Sequence, residues 1–485
     1  MIVLICAFPI WWTCLAYRYL RIFVNELAFL MHQNIPVPTH PTLSSKDVTV
    51  VIPCLDGNGI EATLRSVLVT EPAKVILVTI HANLERAKSM LKGSETFGDV
   101  LVMSVPQANK RKQMMHALSE IDTPVTVFAD DDVTWPITLL PWMLAPLEDD
   151  RYGGVGTNQW LRDAACPSFM ERFWRFLNLL YLQRRNFDCS ACNHLDGGLP
   201  CLSGRTVAYR TKMIKDKAFI DGFENEVWGF GKGYRLAVDD DNFVTRWTYS
   251  HGYKIAFQYH REAEVLTELE TNSRYLKQCL RWSRSNWRSN CTSMFVERHV
   301  WKQHPWSSYA VFLTTLTHWA PLWDVGLWLH RPEGRFTFWL LLSIMAFSKI
   351  IKLVPIFMRN PYQILWLPLS ILFGQFHALI KFYALLTLHV TTWGSRDGAD
   401  ENDDFRMREI KEPDGLKVLP ISKNELMIDP GRPTSTTYGE QSLEHPPKSL
   451  LKSAPCYIKP YASHNYQTSK FQVTKQNLII TSGGF

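Results

Sequence analysis

The stretch Val125-Thr126-Val127-Phe128-Ala129-Asp130-Asp131-Asp132 decides the reading of this chain. Five uncharged, mostly β-branched or aromatic residues read as a strand buried on both faces. Three carboxylates follow at once. Their mutual repulsion is costly unless a cation neutralises it. Carboxylates at a strand end suit a hard divalent ion that also holds a diphosphate. Such an ion neutralises charge building on a leaving diphosphate. A solvated acidic loop is the bland alternative, but the place directly at the strand end favours chemistry.

Upstream, Val48–Pro53, Lys74–Ile80 and Val100–Val105 read as three more strands, with Pro124–Ala129 the fourth. Helical stretches alternate with them at Gly59–Val69, Ala82–Leu91 and Asn109–Ile121. This alternation predicts an α/β domain with a mostly parallel sheet covered on both faces. Ligands of such sheets bind beyond the carboxyl ends of the strands. Asp56 and Asp130–Asp132 then share the mouth of one crevice.

Downstream, a second acidic run, Asp239-Asp240-Asp241, precedes Asn242-Phe243-Val244-Thr245. A carboxylate beside a reacting hydroxyl serves as a general base, and an acidic helix start accounts for the same residues equally well. Then comes Gln278-Cys279-Leu280-Arg281-Trp282. Helical spacing puts Gln278, Arg281 and Trp282 on one side. Arginine grips phosphate oxygens with two donors, and tryptophan offers a flat face to a sugar ring. Taken alone, a basic aromatic helix reads more readily as one lying on a membrane surface.

The remaining sequence bounds the setting. The chain has 485 residues and a formal charge of +6. No dense Lys/Arg stripe is present, which argues against nucleic acid as a partner, while a mild positive balance suits an anionic membrane leaflet. A hydrophobic share of 46% hides strong segregation. Residues 47–290 read as the α/β domain, 307–393 as long apolar runs, and 394–485 as a polar tail expected to be mostly disordered. Residues 2–17 carry no charge and precede Arg18 and Arg21. No basic segment precedes them, so residues 1–30 read as a membrane anchor rather than a signal peptide. Ser308–Leu329, Phe336–Phe357 and Tyr362–Val390 are expected to make about three further spans. Asp324, Lys349, Lys352 and Lys381 fall inside them, where charges face a bundle interior or an aqueous path. The ten cysteines are scattered. Cys189, Cys192, His194 and Cys201 raise the idea of a zinc site, but their spacing is irregular and reduced cytosolic thiols fit better. Gly229, Gly231 and Gly233 lack the strand-to-helix context of a phosphate loop and read as a flexible acceptor-side loop. Asn290-Cys291-Thr292 is a glycosylation sequon that would be silent on a cytosolic domain.

As an ordered set, these motifs resemble the family 2 glycosyltransferases of the GT-A fold, in the membrane-integrated branch of hyaluronan, chitin and cellulose synthases. The matches are Ile52–Asp56 (IPCLD), Asn109–Gln113 (NKRKQ), Asp130–Asp132, Cys201–Arg210 (CLSGRTVAYR), Asp240–Thr245 (DDNFVT) and Gln278–Trp282 (QCLRW). The short N-terminus and the run SGRTVAYR also resemble the filamentous-fungal type 2 glycosyltransferases. The resemblance covers about residues 47–390. It implies a Rossmann-like catalytic domain on the cytosolic side, inserted between N- and C-terminal transmembrane helices, in a multi-pass protein of the cell membrane. It implies inverting transfer from a UDP-sugar donor to a polysaccharide acceptor, processive and coupled to export of a cell-wall or extracellular polymer needed for fungal surface growth, with Mg²⁺ or Mn²⁺ as cofactor.

By position, the resemblance implies that Asp56 contacts the uridine, and that Lys110 and Arg111 contact the base and diphosphate. Asp130 and Asp132 would bind the nucleotide and the metal. Ser203 and Gly204 would lie near the acceptor sugar. Asp241 would be the general base with Asp240 beside it, and Gln278, Arg281 and Trp282 would hold the diphosphate and the acceptor end. The helix Phe169–Tyr181 would lie at the membrane interface. Where many relatives carry an acidic pair after the second strand, this sequence has Val78-Thr79-Ile80-His81-Ala82-Asn83, which leaves the identity of the base open. Three other functions compete. A lipid-phosphate sugar synthase generally lacks the Gln278–Trp282 motif. A transporter leaves the acidic motifs unexplained. An inactive scaffold would not need Asp130, Asp132, Asp241 and Arg281 intact.

Overall fold

The apolar runs of the first half pair as their side-chain pattern dictates. In the computed structural model, which describes residues 2–392 apart from 58, 93–96, 98, 165–167 and 230–232, the first strands are β1 (Val48–Pro53), β2 (Lys74–Ile80), β3 (Val100–Val105) and β4 (Val125–Ala129). The polar tail 394–485 and Gly231 lie outside the described residues. β1 pairs in parallel with β2 and β4, and β2 with β3. Strand side chains alternate between faces. Val48, Val50 and Ile52 therefore enter one core with Leu64 and Val127, while Val51 enters the opposite core with Ile76, Val78 and Phe128. Each such fully buried Val or Ile contributes about 1.5–3 kcal/mol of apolar burial. Two-sided burial is why these strands carry unbroken apolar runs.

The chain continues through β5 (Val133–Thr134), β6 (Tyr152–Thr157), β7 (Gln159–Leu161), β8 (Thr206–Arg210), β9 (Val227–Trp228), β10 (Tyr234–Arg235), β11 (Lys254–Gln258) and β12 (Val265–Thr267). The main sheet has seven strands in the order β11-β6-β8-β4-β1-β2-β3. β8 runs antiparallel to both β4 and β6. The sheet is thus mixed, an α/β arrangement with one reversed strand among those of the main sheet. A small sheet of β5, β12 and β7 lies apart in the pairing. β9 and β10 pair antiparallel, with Gly229 and Gly233 between them in the chain.

The helix Phe169–Asp196 extends well past the expected Tyr181. Ser168 and Glu171 form a capping box at its start, and Gly197 ends it in the left-handed region at φ 74°. Glycine takes that conformation without the Cβ penalty. Cys189 and Cys192 lie one turn apart inside this helix, buried and free. Asn290 of the sequon is 4% exposed within the helix Arg274–Cys291, a placement that hides it from modification.

Two helical segments, Arg335–Arg359 and Pro361–Leu386, are long and apolar enough to cross a membrane by length and composition. The stretch 308–329, expected as one span, is instead broken. Its first part ends at Thr317, His318 and Trp319 leave helical geometry, and a new helix runs Ala320–Leu329. Pro321 sits in the first turn of that second helix, where its missing N–H is harmless, whereas a continuous helix would have been interrupted there. The N-terminal helix Ile2–Met31 packs Trp11, Leu15, Tyr19 and Ile22 against Leu327 and Leu341.

Candidate active site

The carboxyl ends of β1 and β4 open onto a cleft of about 350 Å³. Among the residues lining it are Lys110, Asp130, Asp132, Ser203, Gly204, Asp240, Asp241, Gln278, Arg281 and Trp282. Residues about 75 positions apart in the chain meet here because β8 is reversed. The Asp130 amide donates to the Arg205 carbonyl at 2.9 Å, and Ala129 pairs with Thr206 across the ladder. The Ser203–Gly204 turn therefore sits beside the acidic triplet.

Lys110 stands at the centre. Its Nζ lies 2.8 Å from Asp130 Oδ1 and 3.1 Å from Asp240 Oδ2. It is placed by the helix Lys110–His116, whose N-cap Asn109 accepts from the Lys112 amide. Burial alone would lower the Lys110 pKa, but the carboxylates of Asp130 and Asp240 outweigh it and hold the ammonium well above its usual range. The two neighbouring aspartates diverge. Burial raises the Asp240 carboxyl, yet Lys110 and Arg111 override that and hold it below the usual range. Burial and then the charge of Asp240 push the Asp241 carboxyl up, only partly countered by Arg185 and Lys110. Paired carboxylates driven apart in this way are suited to separate acid–base tasks.

Gly204 is required by close approach. A Cβ there would lie 2.9 Å from Lys110 Nζ and 3.3 Å from Asp240 Oδ2. On the far wall, Trp282 stacks on Tyr181 with ring centroids 4.2 Å apart at 11°, so one face of the indole is already covered. The Arg205 guanidinium lies 5.7 Å from the Trp282 ring and donates to Gln159 at 3.1 Å. Gln278 Oε1 is buried with no hydrogen-bond partner among the described residues, an acceptor left for a ligand hydroxyl or amide. Burial lowers the Arg281 guanidinium, with Asp239, Asp241 and Asp240 opposing.

Two expected site residues fall elsewhere. Arg111 does not face the cleft. It is 1% exposed and donates to the carbonyls of Phe223 at 2.7 Å and Val238 at 2.9 Å, with its guanidinium over the Phe223 ring. One position along a helix turns a side chain by about 100°, so Lys110 lines the cleft and Arg111 points away from it. Arg111 instead anchors the segment that leads into Asp239–Asp241. Asp56 lies just past β1, while the cleft wall runs through Pro53, Cys54, Leu55 and Gly59. Thr79 and Asn83, at the end of β2 and just beyond it, donate to the Leu55 carbonyl at 3.0 and 2.7 Å and so fix that turn.

The sequence reading missed Tyr181 and Arg185 as cleft residues. Their spacing of four on the helix Phe169–Asp196 puts both on one face, and that was the available signal. Arg185 donates to the Cys201 carbonyl at 2.6 Å. Asp239, quoted in the second acidic run but given no role of its own, has a left-handed backbone at φ 66°, a conformation that costs a non-glycine residue of order 1 kcal/mol.

A two-carboxylate donor set fits a divalent ion. Such ions use one or two protein carboxylates and take their other ligands from substrate phosphates and water. Asp130 and Asp132 both line the cleft, and among the described residues no set of three or more His, Cys, Asp or Glu gathers as a closed metal site.

A family model described as glycosyltransferase like family 2 matches residues 45–285. A type 2 glycosyltransferase of Zymoseptoria tritici is 46% identical over 464 residues, covering 92% of this chain and 96% of that protein. Another, from Gibberella zeae, is 44% identical and covers 85% of this chain and 80% of that protein. Hyaluronan synthase 1 of Xenopus laevis is 25% identical over 59% of this chain and 47% of that protein. Among solved structures, a mannosyltransferase of Pyrobaculum calidifontis in complex with GDP-Man and Mn²⁺ aligns over 77% of this chain and 98% of that chain, at 14% identity and a TM-score of 0.43.

Proposed function

The chain belongs to the family 2 glycosyltransferases, and on that premise we propose that it moves a sugar from a UDP-sugar to a growing polysaccharide, with inversion, at the cytosolic face of a membrane. The observation that carries this reading is Lys110 standing between Asp130 and Asp240 in one cleft, with Asp241 next in the chain. Donor and acceptor functions thus meet around a single cation.

The chain's own residues supply these roles. Lys110 and Arg281 face the diphosphate and stabilise charge as it leaves. Asp130 and Asp132 would hold a Mg²⁺ or Mn²⁺ ion, which when bound neutralises the same charge. Ser203 and Gly204 leave room for the acceptor beside the acidic pair. Asp241, with its raised carboxyl, takes the proton from the attacking hydroxyl, in keeping with the rule that a base works best near the operating pH. Asp240 stays charged and orients Lys110. Trp282, braced by Tyr181, and Gln278 hold the acceptor end. Fixed donors and charges in a buried cleft supply most of the acceleration.

The membrane setting is supported by the two long apolar segments and their tie to the cleft. Trp287 donates to the Lys381 carbonyl at 3.1 Å and Arg284 to Thr387 at 3.0 Å, which joins the helix bearing Gln278–Trp282 to the second apolar segment. A product leaving the cleft toward these helices would be threaded for export, and processivity follows. The N-terminal helix serves as a further anchor in this reading.

The test is UDP release by purified membranes with a panel of UDP-sugars and Mn²⁺ or Mg²⁺. Wild type is expected to release UDP with one donor, and Asp241→Asn to bind that donor but not transfer. Undiminished turnover in that variant would remove Asp241 as the base.

A further inference from the structure

We propose that Arg288 is a positioning residue for the Asp240–Asp241 pair, and that it ties their geometry to the docking of the segment that follows the last apolar helix. The inference rests on the sugar-transfer reading for its kinetic readout only. Asp239, which immediately precedes the pair, holds the left-handed turn that starts the helix Asp240–Ser250. Its Oδ2 accepts from Arg288 Nε at 2.8 Å and lies 2.7 Å from Arg288 Nη2. Both side chains are almost fully buried. The remaining arm of the guanidinium, Nη1, donates to the carbonyls of Leu388 at 3.2 Å and Val390 at 3.3 Å.

The same helix face repeats the arrangement. Asn242 donates to Ser285 Oγ at 2.8 Å, and Arg246 to Ser289 Oγ at 2.8 Å. Positions 285, 288 and 289 form one stripe, which continues the line of Gln278 and Arg281 that enters the cleft. The helix Arg274–Cys291 therefore carries substrate-facing groups on its first half and grips the acidic helix with its second. Residues 284 and 287 meanwhile hold Thr387 and Lys381. A planar fork with five donors can serve a carboxylate and two carbonyls at once, and a lysine cannot. If the 387–390 segment shifts, Nη1 loses its acceptors and the fork loses the brace that orients it on Asp239. The acidic pair is then released from its turn.

The experiment uses the full-length protein in lipid nanodiscs, comparing wild type, Arg288→Gln, Arg288→Lys and the double variant Asp239→Gly/Arg288→Gln. Arg288→Gln is expected to lower kcat at least tenfold with the donor KM within threefold. The double variant is expected to recover to within threefold of wild-type kcat, because glycine holds the left-handed turn without the clamp and no buried carboxylate is left unpaired. Amide hydrogen exchange is expected to rise at least tenfold at residues 239–242 and 388–391 together in Arg288→Gln, with β4 unchanged. Should that variant fail to fold, Arg288→Lys carries the same two measurements. Unchanged exchange at either segment, or a kcat loss that the double variant does not restore, overturns the proposal. If wild type turns over no nucleotide sugar, the sugar-transfer reading falls, while the exchange data alone still decide the role of Arg288.

Discussion

Replacing Lys110 with methionine keeps the length of the side chain and removes its charge. In the wild type the ammonium sits 2.8 Å from Asp130 and 3.1 Å from Asp240. At an effective dielectric of about 20, those separations correspond to gross attractions of about 6 and about 5 kcal/mol. Desolvation offsets much of this, and breaking such a buried pair by removing one partner costs about 3–5 kcal/mol in practice. For a domain of this size that is a fall in Tm of roughly 6–20 °C. The pH dependence has a definite sign. Lys110 holds the Asp240 carboxyl below its ordinary value. That contribution is fully present above the unfolded carboxylate value of about 3.9 and is lost as pH falls through the depressed folded value. The gap in stability between wild type and variant should be widest near neutrality and close in acid. On the proposed reading, in which Lys110 faces the leaving diphosphate, donor turnover should fall by about two to three orders of magnitude. Thermal unfolding of the solubilised protein from about pH 2 to 8, with UDP release measured in parallel near neutrality, checks both. A Tm within 2 °C of wild type at pH 7.5, with turnover within threefold, would refute the placement of Lys110 as the central cation.

Three further outcomes follow from the same geometry. Gly204→Ala should cut kcat about tenfold or more while costing little stability, because its Cβ displaces the Lys110–Asp240 contact and no core side chain; kcat and Tm read together check it. With Asp241 as the proposed base, the acid limb of the rate profile should lie above the ordinary carboxylate range, since its pKa is raised by burial and by Asp240; Asp240→Asn should move that limb to lower pH, and a limb that stays in place counts against the pairing. Arg111→Met should lower global stability by about 3–5 kcal/mol and leave the donor KM of the folded fraction within threefold, whereas a large selective KM effect would restore Arg111 to the ligand.

How far the sequence reaches depends on whether a signal is local. β1 to β4 were legible because two-sided burial writes an apolar run into each strand, and the acidic triplet was legible because it closes one of those runs. Lys110 and Arg111 were given one expected role because adjacent letters in NKRKQ carry no information on which faces the cleft until helix phase is known. The end of the helix Phe169–Asp196 was missed because its second half is polar and aromatic-poor, yet buried by tertiary contacts that propensity does not register. The break at His318–Trp319 was masked by uniform hydropathy, although Pro321 marked it. The pairing of Asp239 with Arg288 was invisible for a different reason. Their pairing spans 49 positions, and nothing local distinguishes a clamped aspartate from an acidic helix start.

The reversal of β8 has a consequence for protein engineering. Because its first residues abut the last residues of β4, the proposed donor wall and the proposed acceptor wall share one hydrogen-bonded register, with Ala129 opposite Thr206. A slip of one residue would turn every β8 side chain to the other face. Chimeras that exchange the acceptor loop between relatives should therefore carry the whole of residues 197–210 as a cassette, with its junctions outside the strand. Grafts that cut within Ser203–Thr206 would rewire donor recognition along with the intended change, so new acceptor preferences are best sought by altering side chains within an intact cassette.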